Sequence, residues 1–286
     1  MSESVSAALE WATGVLAAAG VPSPDVDAEL LLGHVLALSR GAVQAKAISG
    51  SALDPDSLVA VTALVERRAA REPLQHITGR AAFRSIELAV GPGVFVPRPE
   101  TEGVAGIAIE ALRATASEQP IAVDLGTGSG AIALAMAVEV PHAVVHGVEV
   151  SPLAFAWTTR NFSAIAPDNA TAVLVDLADA LHELDGRVSV VASNPPYIPA
   201  AAIPRDPEVR LFDPEIALYG GVDGLDVVHQ VSATARRLLH PGGTLVIEHG
   251  ELQAAEIAAL LVADGWRAVA GHRDLLGRDR ATTALR

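Results

Sequence analysis

The sequence contains no cysteine, which excludes disulfides and thiolate metal sites and leaves the redox compartment open. Lysine occurs once, at Lys46, so there is no lysine-rich segment to grip a polyphosphate backbone. Basic side chains are few altogether, 20 against 34 acidic ones. The first hundred residues hold 11 acidic and 8 basic side chains, leaving 23 and 12 for the remainder, so most of the excess lies in the later part. A surface of that sign does not draw in nucleic acid by its net field. Long apolar runs are also missing: the one from Ala131 to Val138 stops at Glu139, short of a membrane span. The opening Met1-Ser2-Glu3-Ser4 lacks the basic start of a secretory leader. These absences lead us to expect a cytoplasmic chain with no membrane segment, no direct nucleic-acid partner and no metal. What is plentiful is apolar surface. Half of the 286 residues are hydrophobic, enough for a sizeable core in two domains or one large one.

Apolar residues first recur at helical spacing. Val5, Ala8, Leu9, Ala12, Val15 and Leu16 share a face, and Gly20 follows as a stop. Ser23-Pro24 reads as an N-cap with proline at the first helical position, and Leu30 to Leu38 carry the apolar stripe of that second helix. Asp54-Pro55 repeats the start signal for a helix to about Arg71. Nothing in this stretch has catalytic spacing, so residues 1–78 are expected to form a helical domain that packs or docks. The period then changes. Ile86, Leu88 and Val90 alternate with Glu87 and Ala89 as in a half-buried strand from Phe83 to Val90. Gly91-Pro92-Gly93 reads as a turn and Val94-Phe95-Val96 as returning extended chain, which predicts a β-hairpin linker over 79–97. From Pro120 onward, candidate strands Ile121–Asp124, Ala143–Val148, Ala172–Val175, Val188–Ser193 and Thr244–Glu248 alternate with candidate helices Ala131–Val138, Pro152–Phe162, Leu225–Leu239 and Leu252–Ala263. That alternation predicts a Rossmann-like, doubly wound α/β sheet within residues 98–286.

Two of these strands end in unusual turns, and strand ends at one edge of such a sheet form its ligand site. The first turn is Asp124-Leu125-Gly126-Thr127-Gly128-Ser129-Gly130, whose glycines permit tight turning and close approach of a ligand. Its spacing is D-x-G-x-G-x-G, whereas a dinucleotide loop shows G-x-G-x-x-G. Asp124 at the strand end would also repel a pyrophosphate. A carboxylate there suits a cationic ligand such as the amino group of S-adenosylmethionine. Glu149, ending the next strand, is placed to accept from both ribose hydroxyls. Asp176, ending the third, is placed to accept from the adenine amino group, with Leu177 packing on the ring. Taken singly, each acid reads equally well as a helix cap or a loop charge. The three in register with Gly126, Thr127, Gly128, Ser129 and Gly130 point to a nucleoside cofactor.

The second turn is Asn194-Pro195-Pro196-Tyr197. Asn194 offers a side-chain carbonyl, and Pro195 offers a backbone carbonyl on a stiff frame with no competing N–H. Two acceptors close together can hold both hydrogens of an –NH2 group and orient its nitrogen toward a methyl sulfonium. Tyr197 gives a flat surface for a planar amide or base. The expected reaction is in-line methyl displacement, driven by positioning and by acceptors that strengthen as the nitrogen becomes positive.

At these residues the chain resembles class I S-adenosylmethionine-dependent methyltransferases that modify amino groups, which carry [D/N/S]-P-P-[Y/F/W]. Further stretches are similar to the signatures of the release-factor glutamine methyltransferase family, of PrmC/HemK type. They are Arg71-Glu72-Pro73-Leu74-Gln75-His76-Ile77-Thr78-Gly79, Phe95-Val96-Pro97-Arg98-Pro99-Glu100-Thr101-Glu102, Leu218-Tyr219-Gly220-Gly221-Val222-Asp223-Gly224-Leu225, Glu248-His249-Gly250 and Asp274-Leu275-Leu276-Gly277-Arg278-Asp279-Arg280. The resemblance spans nearly the whole chain. It implies N5-methylation of the glutamine in the Gly-Gly-Gln loop of bacterial class-1 peptide release factors. It also implies that the cofactor contacts Gly126 to Gly130, Glu149, Asp176 and Leu177, and the substrate amide contacts Asn194 to Tyr197, Asn194 touching the cofactor as well. Two positions depart from the pattern: Phe83-Arg84 stands where the family often has two aromatics, and Leu177 where some members have one.

The same chemistry on a ribosomal-protein glutamine stays open at this level. A DNA or RNA amino-group methyltransferase is disfavoured by the acidic balance. A non-catalytic cofactor scaffold has no use for the intact Asn194-Pro195-Pro196-Tyr197 turn. A nicotinamide oxidoreductase is disfavoured by the loop spacing.

Overall fold

Most helices of the first part begin where a side chain caps them. In the computed structural model, which describes residues 3–166 and 168–286, Ser4 accepts from the Ala7 amide at the start of α1 (Val5–Ala18). Ser23, expected to cap α2 (Pro24–Leu36), makes no side-chain bond; Pro24, Asp25 and Asp27 in the first turn start that helix without it. Ser39 caps α3 (Arg40–Ile48) through the Ala42 amide. The sequence pattern did not announce this helix, because Val43 is its one buried apolar residue. Asp54 accepts from both the amide and the hydroxyl of Ser57 at the head of α4 (Pro55–Ala69), and α5 (Leu74–Thr78) is a short final helix. A two-residue pairing of β1 (Glu3–Ser4) with β2 (Ala52–Leu53) ties the ends together. Val5, Ala8, Ala12, Leu16, Leu31, Leu32, Val61 and Val65 fill the core of this helical unit.

The second unit opens with β3 (Arg80–Phe83) paired antiparallel to β4 (Ile86–Ala89), Phe83 facing Ile86. The hairpin turn is therefore at Arg84-Ser85, not at Gly91-Pro92-Gly93 as the alternation suggested. Val94–Val96 forms no ladder; prolines at 92, 97 and 99 remove donors around it, and the Val94 amide closes a turn on the Gly91 carbonyl. There follow α6 (Thr101–Arg113), β5 (Ile121–Leu125), α7 (Ala131–Glu139), β6 (Val144–Glu149), α8 (Pro152–Ile165), β7 (Ala170–Leu174) and β8 (Val188–Ser193). The chain then leaves this unit. Arg205–Phe212, with the short helix α9 (Pro207–Phe212), belongs to the helical unit. There Glu208 takes a two-pronged bond from Arg71, at 2.9 and 2.7 Å, and a third from Arg68 at 2.9 Å. Arg68, 6% exposed, is also paired with Asp27 at 2.7 Å. No pattern in the sequence had announced this return. The rest is α10 (Asp226–Leu238), β9 (Leu239–Glu248), α11 (Ala254–Ala263), β10 (Arg267–Arg273) and β11 (Asp279–Leu285).

Seven strands form one doubly wound sheet in the order β10-β11-β9-β8-β5-β6-β7. The five from β9 to β7 run parallel, and β11 is antiparallel to both its neighbours. Alternate residues feed opposite layers. Ala122, Val145, Val190 and Val246 pack with α6, α7 and α8; Val123, Val148, Val191 and Ile247 pack with α10 and α11. The chain winds outward from β5 to β7 and restarts on the other side of β5 with β8. That reversal is a topological switch point.

Candidate active site

Strand register brings the two turns together. Leu125 faces Val148 on one side and Ser193 on the other, and Ser193 faces Ile247. Gly126, Asn194, Glu149 and Glu248 therefore sit at one edge of the sheet. The Ser193 hydroxyl donates to the Leu125 carbonyl at 2.6 Å, stitching the two central strands where the turns begin.

The glycine loop is held mainly by hydrogen bonds. Asp124 is buried, and its Oδ2 accepts from the Thr127 hydroxyl at 2.7 Å and the Ala133 amide at 3.1 Å. Its Oδ1, equally buried, has no hydrogen-bond partner among the described residues. Burial pushes the Asp124 carboxyl up to about 7, against the pull of these two donors. Gly126 and Gly128 have positive φ, and a Cβ at either would meet no protein atom within 4 Å. Glu149 is buried and accepts three backbone amides: Gly128 at 2.8 Å, Val150 at 2.9 Å and Ser151 at 2.8 Å. Thr127 and Ser129 are buried, and Gly130 heads α7. Asp176 is exposed and caps a turn through the Ala178 amide, while Leu177 packs half-buried on the α10–α11 side of the sheet.

The acceptor turn is held differently. Among the described residues, no hydrogen bond uses the Asn194 side chain or the Pro195 carbonyl, although Pro195 is buried. The support comes from behind. The Ile198 amide donates to the Leu218 carbonyl at 2.9 Å and the Gly220 amide to the Ile198 carbonyl at 3.0 Å. A Cβ at Gly220 would overlap the Pro196 carbonyl oxygen, and one at Gly224 the Tyr197 carbonyl oxygen. The Leu218–Leu225 signature is thus a backrest for the turn, and its glycines are there for close approach. Tyr197 is half-buried within the field of the Glu248, Arg280, Glu100 and Arg98 charges, and desolvation pushes its hydroxyl up to about 12. Glu248 is itself buried and raised to about 7, first by desolvation. Asp274 closes the β10–β11 turn by accepting from the Leu276 and Arg278 amides and the Arg278 guanidinium.

Several supporting residues lay outside the sequence reading. The Thr158 hydroxyl donates to the Gly128 carbonyl at 2.6 Å. The Asn161 amide donates to the Ser129 carbonyl at 2.8 Å and to the Ala89 carbonyl at 2.9 Å, and accepts from the Ala89 amide at 2.8 Å. Both residues are buried on α8. Their signal was two polar residues three apart on a face that also carries Ala154 and Phe162.

Comparison with known proteins agrees along the chain. Residues 7–79 match the family model of the PrmC N-terminal domain. Residues 86–212 match that of the methyltransferase small domain. The chain is 49% identical to a release factor glutamine methyltransferase of Streptomyces coelicolor, covering 96% of this chain and 95% of that one. It is 43% identical to one of Bifidobacterium longum, over 97% and 98% of the two chains. It is 44% identical to one of Mycolicibacterium smegmatis, over 98% and 96%. The chain belongs to the release factor glutamine methyltransferase family.

Proposed function

We propose that this member of the family transfers the methyl group of S-adenosylmethionine to the side-chain amide nitrogen, N5, of the glutamine in the Gly-Gly-Gln motif of class-1 peptide chain release factors. One observation carries the reading. At the switch-point edge, the Asn194 side-chain carbonyl and the Pro195 carbonyl are two acceptors on a stiff turn that no group among the described residues uses.

The glycine loop fits the cofactor. The unpartnered, buried Asp124 Oδ1 is relieved by a cationic donor such as the ammonium of the methionine moiety. The open space beside Gly126 and Gly128 admits a ligand against the backbone. Thr127, Ser129 and Gly130 complete that wall. An ionised carboxylate has about four acceptor positions, and three on Glu149 are taken by backbone amides. Glu149 therefore accepts one ribose hydroxyl as it stands and a second only by releasing an amide. Asp176 and Leu177 serve the adenine end. S-adenosylmethionine, when bound, supplies an electrophilic methyl group on a sulfonium sulfur.

Asn194 and Pro195 accept the two hydrogens of the glutamine amide and so fix the direction of its nitrogen. An amide nitrogen is a weak nucleophile because its lone pair is delocalised. The two acceptors strengthen as it gains positive charge, which lowers the barrier without a general base acting first. The nitrogen–methyl bond would form as the methyl–sulfur bond breaks to leave a neutral thioether, and the acidic N-methylated amide would then lose its extra proton to water. Pro196 stiffens the turn. Tyr197 offers a flat face to the amide plane. The helical unit docks the protein substrate. It carries no chemical motif, and α1 leaves Trp11 38% exposed beside Gly14 and Val15.

Methyl transfer from labelled cofactor to a class-1 release factor, ribosomal proteins, RNA and DNA in parallel tests the reading. Label should appear on the release factor alone, and not when its motif glutamine is replaced. Label on another acceptor in preference would overturn the assignment.

A further inference from the structure

Gln253 stands outside every signature described above, yet both ends of its side-chain amide are used. Its Oε1 accepts from the Gly250 amide at 3.0 Å, and its Nε2 donates to the Tyr197 carbonyl at 3.0 Å. The first bond is local and would by itself serve the turn before α11. The second reaches a residue 56 positions earlier in the chain, in the acceptor turn. On the other side of the same peptide group, the Ile198 amide donates to the Leu218 carbonyl at 2.9 Å. The peptide plane joining Tyr197 to Ile198 is therefore held at both its oxygen and its nitrogen. Gly224 closes the remaining space, since a Cβ there would overlap the Tyr197 oxygen and stand 3.0 Å from Gln253 Nε2.

That plane matters because the turn before it is stiff. Pro195 and Pro196 have φ locked by their rings. Asn194 and Pro195 each precede a proline, which confines their ψ. Between the plane of the Pro195 carbonyl and the plane of Tyr197 and Ile198, the Pro196 ring locks φ and leaves Pro196 ψ and the two Tyr197 torsions. Fixing the second plane therefore limits the directions in which the Pro195 carbonyl can point. We propose that Gln253 is a positioning residue of the acceptor turn. By bridging the Tyr197 carbonyl to the Gly250 amide, it narrows the directions open to the Pro195 carbonyl, one of the two acceptors for the substrate amide. Its effect on rate rests on the methyl-transfer reading; the tether itself does not.

Two full-length variants separate the two halves of the tether. Gln253→Met is of similar length and loses both bonds. Gln253→Glu keeps an acceptor for the Gly250 amide and loses the donor to Tyr197. Amide hydrogen exchange is read at Ile198, alongside single-turnover methylation of release factor at saturating cofactor. In both variants exchange at Ile198 should rise about tenfold, the factor for one net hydrogen bond, with the amides of β5 unchanged. The rate should fall about tenfold as well, with KM for the release factor, cofactor affinity and Tm held. Added to Asn194→Ala, Gln253→Met should cost little more, because both act on one clamp. Unchanged exchange at Ile198 in Gln253→Glu would overturn the tether whatever the activity. A wild-type rate with raised exchange would overturn its role in positioning, as would a loss that multiplies fully with Asn194→Ala. If the wild type labels no release factor, the substrate reading fails instead, and exchange at Ile198 still decides the tether.

Discussion

The glycine loop and the acceptor turn leave neighbouring strands at one edge of the sheet, but they are built by opposite means. In the loop, Asp124 and Glu149 between them accept one hydroxyl and four backbone amides, and the Gly128 and Ser129 carbonyls are taken by Thr158 and Asn161. What is left open there is space. In the turn, the proposed acceptors are bare among the described residues, and rigidity comes from two prolines and from Leu218, Gly220, Gly224 and Gln253 packed behind. On the proposed reading, a cofactor of fixed shape is met by a preformed cradle, and an amide that must change charge during reaction by acceptors with no prior commitment. Damage to the turn should therefore appear in rate, and damage to the loop in affinity.

A large effect of the kind that division predicts is expected at Gly220. In Gly220→Ala the new Cβ overlaps the Pro196 carbonyl oxygen, so the turn must shift. A displacement of about 1 Å can cost about a hundredfold in rate. Single-turnover methylation should fall by that order while calorimetry finds cofactor affinity within a few fold. Equal loss of both would show that the two regions are not independent. On the loop side, Glu149→Ala removes a carboxylate that pins Gly128 and that we propose receives the ribose. A single charge-assisted bond is worth about 2 kcal/mol, so the dissociation constant should rise about thirtyfold with turnover at saturating cofactor nearly kept. Unchanged affinity in the folded variant would remove Glu149 from the site.

A smaller effect follows from Asp124. Its folded pKa is about 7, raised by burial. The folded protein thus holds a proton that the unfolded chain releases, and unliganded stability should fall as pH rises from about 4 to about 7. A cationic ligand prefers the ionised form. Cofactor affinity should therefore climb with pH, by at most about tenfold per unit below 7, and level off above it. Binding at neutral pH should release protons. A flat affinity profile between pH 6 and 8 would detach the ammonium from Asp124. The smallest change is expected outside both turns. Trp11→Ala should raise KM for whole release factor several-fold and leave the rate on a short glutamine peptide unchanged; equal loss on both would contradict a docking role for the helical unit. A truncation at residue 80 tests this less cleanly, because it strips Glu208 of Arg68 and Arg71.

Both turns were legible in the sequence because each is written in residues whose backbone chemistry is special, glycine in one and proline in the other. The parallel strands were legible from apolar runs. The supports were not. Thr158, Asn161 and Gln253 are single polar residues that each reach a partner 30 to 72 positions away, beyond any local pattern. The hairpin was misplaced because Gly91-Pro92-Gly93 is a stronger turn signal than Arg84-Ser85, where Arg84 takes φ 51°. That backbone is held by a two-pronged bond from the Arg84 guanidinium to Glu139, which local propensity does not reveal. The return of Arg205–Phe212 to the helical unit rests on buried ion pairs of the same long-range kind.

The central claim is that Asn194 and Pro195 clamp the amide that receives the methyl group. Single-turnover methylation of a class-1 release factor by Asn194→Ala, at saturating cofactor and substrate with binding and Tm measured separately, tests it most directly. Loss of one preorganised acceptor should slow transfer by about a hundredfold or more in a folded, cofactor-binding protein. Wild-type rates in that variant would contradict the clamp, even in an active methyltransferase.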